Sequence, residues 1–234
     1  MPLPIGWFLR YICKCEETDN FFSSYGSLIH KLIELYYRGI IQQSELSDIF
    51  LENFLLKVKG RRPSEATVQK YIKCGTDYFR NFKPFKYDMV DVEKRVDFKI
   101  DDIPFVGFID YLGTKDGDLF IVDNKSRDLK PRSNRQNPTA KDKELDSMLK
   151  QLYLYSAAIK QEYGVFPKKL CFNCFKTGTF IEEPFNQNAY DKTIDWAKKK
   201  IEEIRKTDIF YPQIDYFQCK NLCGCRDSCC YVNN

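Results

Sequence analysis

The sequence predicts an α/β domain in which helices cover both faces of a mixed β-sheet. The order of hydrophobic periodicities carries that expectation: helices, then three strands, a helix, two strands and a helix. A central hairpin signal supports it, GFIDYLGTKDGDLFIVDNKS from Gly107 to Ser126. Size agrees, since 234 residues with 43% hydrophobic and 30% charged side chains can bury one real core.

The first helix is expected from Tyr25 to Arg38, where Leu28, Ile29, Leu32, Ile33 and Tyr36 form one stripe. A second covers Ser44 to Val58, and a third opens at Pro63-Ser64-Glu65 and reaches Phe82. The segment from Val92 (VEKRVDFKI) alternates as a strand does, and IPFVGFIDYLG and DLFIVDNK follow as two more. Ser126 to Glu144 is polar and contains two prolines, so it reads as a long loop, functional or disordered. A helix from Leu145 to Tyr163, strands KKLCFNCFK and TFIEEPF, and a helix from Ala189 to Lys206 complete the order.

The net charge of +4 permits a nucleic-acid partner without requiring one. No apolar run approaches the roughly 20 residues that cross a bilayer, which excludes a helical membrane anchor. The opening MPLPIGWFLRYI is interrupted by Pro2, Pro4 and Arg10 and does not read as a signal peptide. A cytoplasmic setting with reduced thiols is therefore expected. There, the crowding of Cys219, Cys223, Cys225, Cys229 and Cys230 near the end points to metal ligands rather than disulfides.

The hairpin raises a question of charge. With Asp116-Gly117 as a two-residue turn, counting back along both strands sets Asp123 opposite Asp110. Lys125, two residues on, shares the face of Asp123. The flanking residues Phe105, Val106, Phe108, Ile109 and Leu119 to Val122 are apolar, so both strands are expected to be covered on both sides. Two carboxylates facing each other there repel and are costly to bury. A hard dication such as Mg²⁺ would offset that cost. The plainer alternative puts both aspartates at strand ends in water.

Asp110 followed by Asp123-Asn124-Lys125 resembles the PD-(D/E)XK nuclease signature. Gly26-Ser-Leu-Ile-His30 resembles the Gly-x-x-x-His helix of its RecB-like branch, which includes AddB and CRISPR-associated adaptation nucleases. Gln151-Leu-Tyr-Leu-Tyr155 resembles that branch's Q-x-x-x-Y motif, with both side chains on one side of a helix. The resemblance spans Cys13 to Cys229 and implies a restriction-endonuclease-like mixed sheet in a single domain, residues 1–234. Segments 1–24 and 207–234 would form its cysteine-cluster region. In that branch one early and three late cysteines can hold a [4Fe–4S] cluster. Here Cys219, Cys223 and Cys229 match the late three and Cys13, or else Cys15, the early one. A zinc site in the tail is the alternative. Cys74, Cys171 and Cys174 are expected to be ordinary buried thiols.

By the same resemblance, His30, Asp110, Asp123 and the Asn124 backbone carbonyl would ligate Mg²⁺ or Mn²⁺. Lys125 would orient water and face the phosphate, with Gln151 and Tyr155 positioning DNA or the lysine. Glu93 is expected on a solvated strand or behind the ligands. Basic residues of the long loop, Arg127, Lys130, Arg132, Arg135, Lys141 and Lys143, either contact DNA or lie in water. The implied activity is metal-dependent DNA cleavage, of the exonuclease type, in recombination, repair or phage DNA processing. Nothing resembles a phosphate loop, so the chain looks like the stand-alone form of the nuclease, for which a helicase or recombination protein is a partner the resemblance implies. The alternatives are a silent DNA-binding module of the same fold, or a partner-docking protein.

Overall fold

A computed structural model describes residues 3–212 and 215–231. The elements are β1 (Leu3–Pro4), α1 (Ile5–Tyr11), α2 (Phe21–Tyr37), α3 (Leu46–Lys57) and α4 (Glu65–Arg80). They continue as β2 (Asp88–Ile100), β3 (Ile103–Lys115), β4 (Asp118–Lys125), α5 (Ala140–Tyr163), β5 (Lys169–Cys174), β6 (Thr179–Pro184), α6 (Gln187–Lys206) and β7 (Phe210–Tyr211).

Strands β2 to β6 form one sheet in sequence order. Every neighbouring pair is antiparallel except β4 and β5, which run parallel. A parallel pair needs a long crossover, and α5 supplies it. The β3–β4 turn is Asp116-Gly117 with φ of 53° and 83°, as a type I′ turn requires. Its register holds from Lys115↔Asp118 to Tyr111↔Val122.

One face packs on α5 and α6. Leu112, Leu119, Ile121 and Phe172 meet Leu145, Leu149, Leu152 and Ala197 there. The other face carries Tyr87, Tyr111, Phe120 and Val122, with Tyr37 of α2 packed against them. Helices α2, α3 and α4 build their own aromatic core around Tyr25, Phe50, Phe54 and Phe79 and join the sheet through Phe175. Each such side chain stabilises the fold by about 1.5–3 kcal/mol on burial.

Several features depart from the sequence reading: β1, α1 and β7 were not expected, and β2 starts at Asp88 rather than Val92. Helix α5 begins at Ala140, because Thr139 and Asp142 form a reciprocal capping box. The long loop is shorter accordingly. The distal half of β3 is covered on one side only: Val106 and Phe108 are 62% and 52% exposed. Strand β3 also exchanges its faces near Asp110. Phe105 and Ile109 reach the α5 core from odd positions, whereas Leu112 reaches it from an even one. Across the pairing, Glu93 lies between the partners of Ile109 and Tyr111 with φ of 51°. A side chain rarely takes that backbone region without a constraint.

The two ends of the chain meet. Strand β1 pairs with β7, Phe8 packs on Phe210, and Thr18 N–H donates to the Gly224 carbonyl at 2.9 Å. Among the described residues, no helix is long and apolar enough to cross a membrane.

Candidate active site

Beyond Tyr111↔Val122 the β3–β4 ladder stops, so Asp110 and Asp123 are not a ladder pair. Instead the Asp110 carboxylate enters the gap, where its Oδ2 accepts the Asn124 backbone N–H at 2.6 Å. The Asn124 carbonyl lies 3.0 Å from His30 Nε2, and its side-chain oxygen accepts from Asn173 at 2.7 Å. Asn124 is thereby fixed through N–H, C=O and side chain together.

Helix α2 delivers His30 to this point. Its Nδ1 lies 3.4 Å from Asp110 Oδ2. Burial lowers the imidazole pKa below its ordinary value, which keeps the ring neutral at pH 7. With Nε2–H donating to the Asn124 carbonyl, the Nδ1 lone pair faces Asp110, as a metal ligand must. Glu93 joins them: one ligand atom each from His30, Glu93 and Asp110 lie within 4.8 Å of one another. Sequence reasoning placed Glu93 in solvent or behind the ligands. Only the β2–β3 register, with its turned backbone at Glu93, reveals otherwise.

Asp123 is buried beside this group. Its Oδ2 is 2.7 Å from Lys125 Nζ, close enough for an ion pair but outside hydrogen-bond alignment. Lys125 donates to Gln151 Oε1 at 2.9 Å, and Gln151 Nε2 donates to the Tyr155 hydroxyl at 2.9 Å. The i,i+4 spacing on α5 makes this chain possible. Gly107 admits the Tyr155 ring, since a Cβ there would lie 2.5 Å from Cε1. Tyr153 belongs to the core instead.

Burial raises the pKa of both aspartates to about 6, with Lys125 opposing the shift and Asp110 adding to it at Asp123. Burial, then Asp110, raises that of Glu93. Crowded carboxylates held above their ordinary range, beside a neutral imidazole, are a donor set that fits a hard divalent cation. A cleft of about 430 Å³ opens over it, lined by Gly26, Ser27, His30, Lys31, Glu34 and Glu93. A larger cleft of about 650 Å³, lined by Cys74, Tyr78, Phe85 and Asn173, abuts Asn124 from behind. Cys74 is only half-buried there, unlike Cys171 and Cys174.

The expected early cysteine, Cys13, is exposed. Cys15 is the one that reaches the tail, where its thiol contacts that of Cys225. Cys225 is buried. Cys223 lies near Cys219 and Cys229. A tetrahedral zinc with bonds of about 2.3 Å holds sulfurs about 3.8 Å apart. Among the described residues no three cysteine sulfurs lie within 4.8 Å of one another. The donor chemistry fits a thiophilic group, but no closed single-ion site is preformed.

Four of the six basic residues between Ser126 and Glu144 are ion-paired, whereas Arg135 and Lys143 are exposed. Arg132 pairs with Glu183 and Asp146, Lys130 with Asp128, Lys141 with Glu144 and Arg127 with Glu144.

The mixed sheet thus brings two aspartates and a lysine together beside a histidine helix, groups with the chemistry to hold a divalent cation. The chain belongs to the PD-(D/E)XK nuclease superfamily, whose family model matches residues 4–230. That membership brings phosphodiester hydrolysis, nucleic-acid substrates and divalent metals as the family chemistry. A crystal structure of a candidate exonuclease from Eubacterium rectale aligns at 13% identity and a TM-score of 0.52. The alignment covers 93% of this chain and 86% of that one, a likeness of fold. The crystal structure of SSO0001 aligns at 13% identity over 96% of this chain and 92% of that one, but its TM-score of 0.33 is too low to bear on the fold. No curated protein matches the chain.

Proposed function

We propose that the protein is a Mg²⁺- or Mn²⁺-dependent deoxyribonuclease of the RecB-like branch, working from DNA ends. The observation that carries this reading is the meeting of His30, Glu93 and Asp110 beside the Asp123–Lys125 pair. His30, Glu93, Asp110 and Asp123 would hold the cation, and the Asn124 carbonyl, which here meets His30 Nε2, would have to leave that contact to serve as a further ligand. A bound dication supplies a more acidic water and neutralises charge on the scissile phosphate.

The chain's own residues do the rest. Lys125 presents its ammonium where negative charge grows on the phosphate. Asp123 and Gln151 anchor it from two sides, which fixes its direction. Tyr155 accepts from the Gln151 amide and so sets which end of that amide faces the lysine. The Gly26 side of α2 leaves open space above His30 for a phosphate backbone to approach.

For the termini, we propose a cluster of the iron–sulfur kind held by Cys15 with Cys219, Cys223, Cys225 or Cys229. Its role would be structural, joining the first segment to the last. Recombination, repair or phage DNA processing in the cytoplasm, beside a helicase partner, is the setting this reading favours.

The test is cleavage of end-labelled single- and double-stranded DNA by anaerobically purified protein with Mg²⁺, Mn²⁺ or EDTA. Metal-dependent cleavage that Lys125→Ala lowers by about 10²–10³-fold supports the assignment. Cleavage that persists unchanged in Lys125→Ala would remove it.

A further inference from the structure

The strand that enters the site must continue past it, and β3 offers one surface for its bases. The outer face of the β2–β3 hairpin is turned away from α5 and left uncovered beyond Asp110. On it stand Phe108, 52% exposed, and Val106, 62% exposed. Phe108 lies two residues from Asp110, about 6.6 Å along the strand. Arg95 sits directly across from Phe108 on β2 and is held by Asp97 through two contacts of 2.9 and 3.0 Å.

The Phe108 ring, left in water two residues along the strand from a carboxylate of the site, has no role in the core. Its neighbours on β3, Ile109 and Leu112, are fully buried. The ring is also tied to the chemistry. The hydrogen-bond chain from Lys125 through Gln151 ends at Tyr155, whose hydroxyl meets the Phe108 backbone. Gly107 next to it is the residue that lets Tyr155 approach. The residues that orient the lysine therefore also touch the backbone at Phe108.

We infer that Phe108, with Val106 beside it, is the platform on which a base next to the scissile phosphate stacks. The occupant is the unpaired end of the nucleic-acid strand being cleaved. The reasons are continuity with the carboxylate site along β3 and an exposed π-face next to it. Stacking on an aromatic side chain is sequence-tolerant, because every base has a π-face. This inference rests on the nuclease reading and adds a substrate form to it: a single-stranded or frayed end.

The experiment compares wild type, Phe108→Ala and Phe108→Trp on a single-stranded oligonucleotide and on the same strand with an abasic residue beside the cleavage position. The expected result is a 5- to 30-fold fall in kcat/KM for Phe108→Ala, about the size of one lost stack, and recovery in Phe108→Trp. The abasic residue should cost wild type a similar factor and cost Phe108→Ala nothing further. Equal abasic effects in the two proteins, or full activity of Phe108→Ala, overturn the platform. If wild type cleaves nothing, the nuclease reading fails separately, and 2-aminopurine fluorescence of the oligonucleotide with Ca²⁺ decides the platform. Quenching by wild type but not by Phe108→Ala supports it. Absence of quenching, or self-association that Phe108→Ala abolishes, overturns it and assigns the patch to protein contact.

Discussion

The Asp110 carboxylate accepts the backbone N–H of Asn124 at 2.6 Å, across the gap where the β3–β4 ladder ends. A side chain has replaced a main-chain partner, and the strands part around it. The charge of Asp110 then points at His30 and Glu93 rather than at Asp123. Structure and function separate cleanly at this residue.

Asp110→Asn keeps an oxygen that can accept from Asn124 but loses the charge. Cleavage should fall at least 100-fold while the melting temperature stays within a few degrees of wild type. Asp110→Ala should lose cleavage and also about 1–3 kcal/mol of stability, because the Asn124 N–H is left unpaired. Thermal melts of the two variants in EDTA separate these effects. Equal melting temperatures would refute the structural half.

Glu93→Gln should raise the Mn²⁺ concentration for half-maximal cleavage by about tenfold or more, the cost of weakening a ligand or its support. Metal titration of initial rates measures it. An unchanged midpoint would return Glu93 to the solvent.

Gln151→Ala removes the second anchor of Lys125 and should lower kcat about 10–100-fold with little change in KM, a loss confined to the transition state. Tyr155→Phe keeps the ring against Gly107 and removes only the hydroxyl, so its effect should be smaller. Steady-state kinetics on one substrate ranks them.

Without metal, pH should act on stability through the aspartates. Burial sets the folded pKa of Asp110 and Asp123 at about 6, above the 3.8 of an unperturbed aspartate. The folded protein therefore binds more protons than the unfolded chain between about pH 4 and 6. The stability this contributes is fully present below pH 4 and is lost as pH rises through 6. One shared proton is worth on the order of 2–3 kcal/mol. In EDTA the contribution should be seen as a decline in melting temperature from pH 5 to 7. Mn²⁺ should raise the melting temperature most at pH 7, where the carboxylates are ionised.

Cys15→Ala should lower bound iron or zinc and the melting temperature of anaerobically purified protein, whereas Cys13→Ala should leave both unchanged. Metal analysis with absorbance spectra gives the answer. The reverse ranking would mean that the Cys15–Cys225 contact does not mark the ligand.

Much of the fold could be read from local signals. Strand β4 was expected at Asp118–Lys125, where it lies, because Asp116-Gly117 fixes its start. The start of α5 was missed by five residues, since its capping pair, Thr139 and Asp142, is embedded in a polar, proline-bearing stretch. His30, Asp110, Asp123, Lys125, Gln151 and Tyr155 were singled out by spacing and resemblance, and the structure gathers them in one place. The approach of Glu93 to His30 and Asp110, and that of Cys15 rather than Cys13 to Cys225, could not be read from the sequence, because neither is local.

Leaving aside β1, α1 and β7, which it did not show, the sequence by itself determined the five strands of the main sheet, the helices that cover it, the turn of the central hairpin, and the residue types able to hold a cation. These depend on periodicity and on backbone preferences within a few residues. Only the tertiary structure decided that Asp110 takes a backbone partner in place of Asp123, that Glu93 turns inward, and that Phe108 stays in water. Each of these depends on how strands distant in sequence part or exchange faces, and that is settled by long-range packing against α2 and α5.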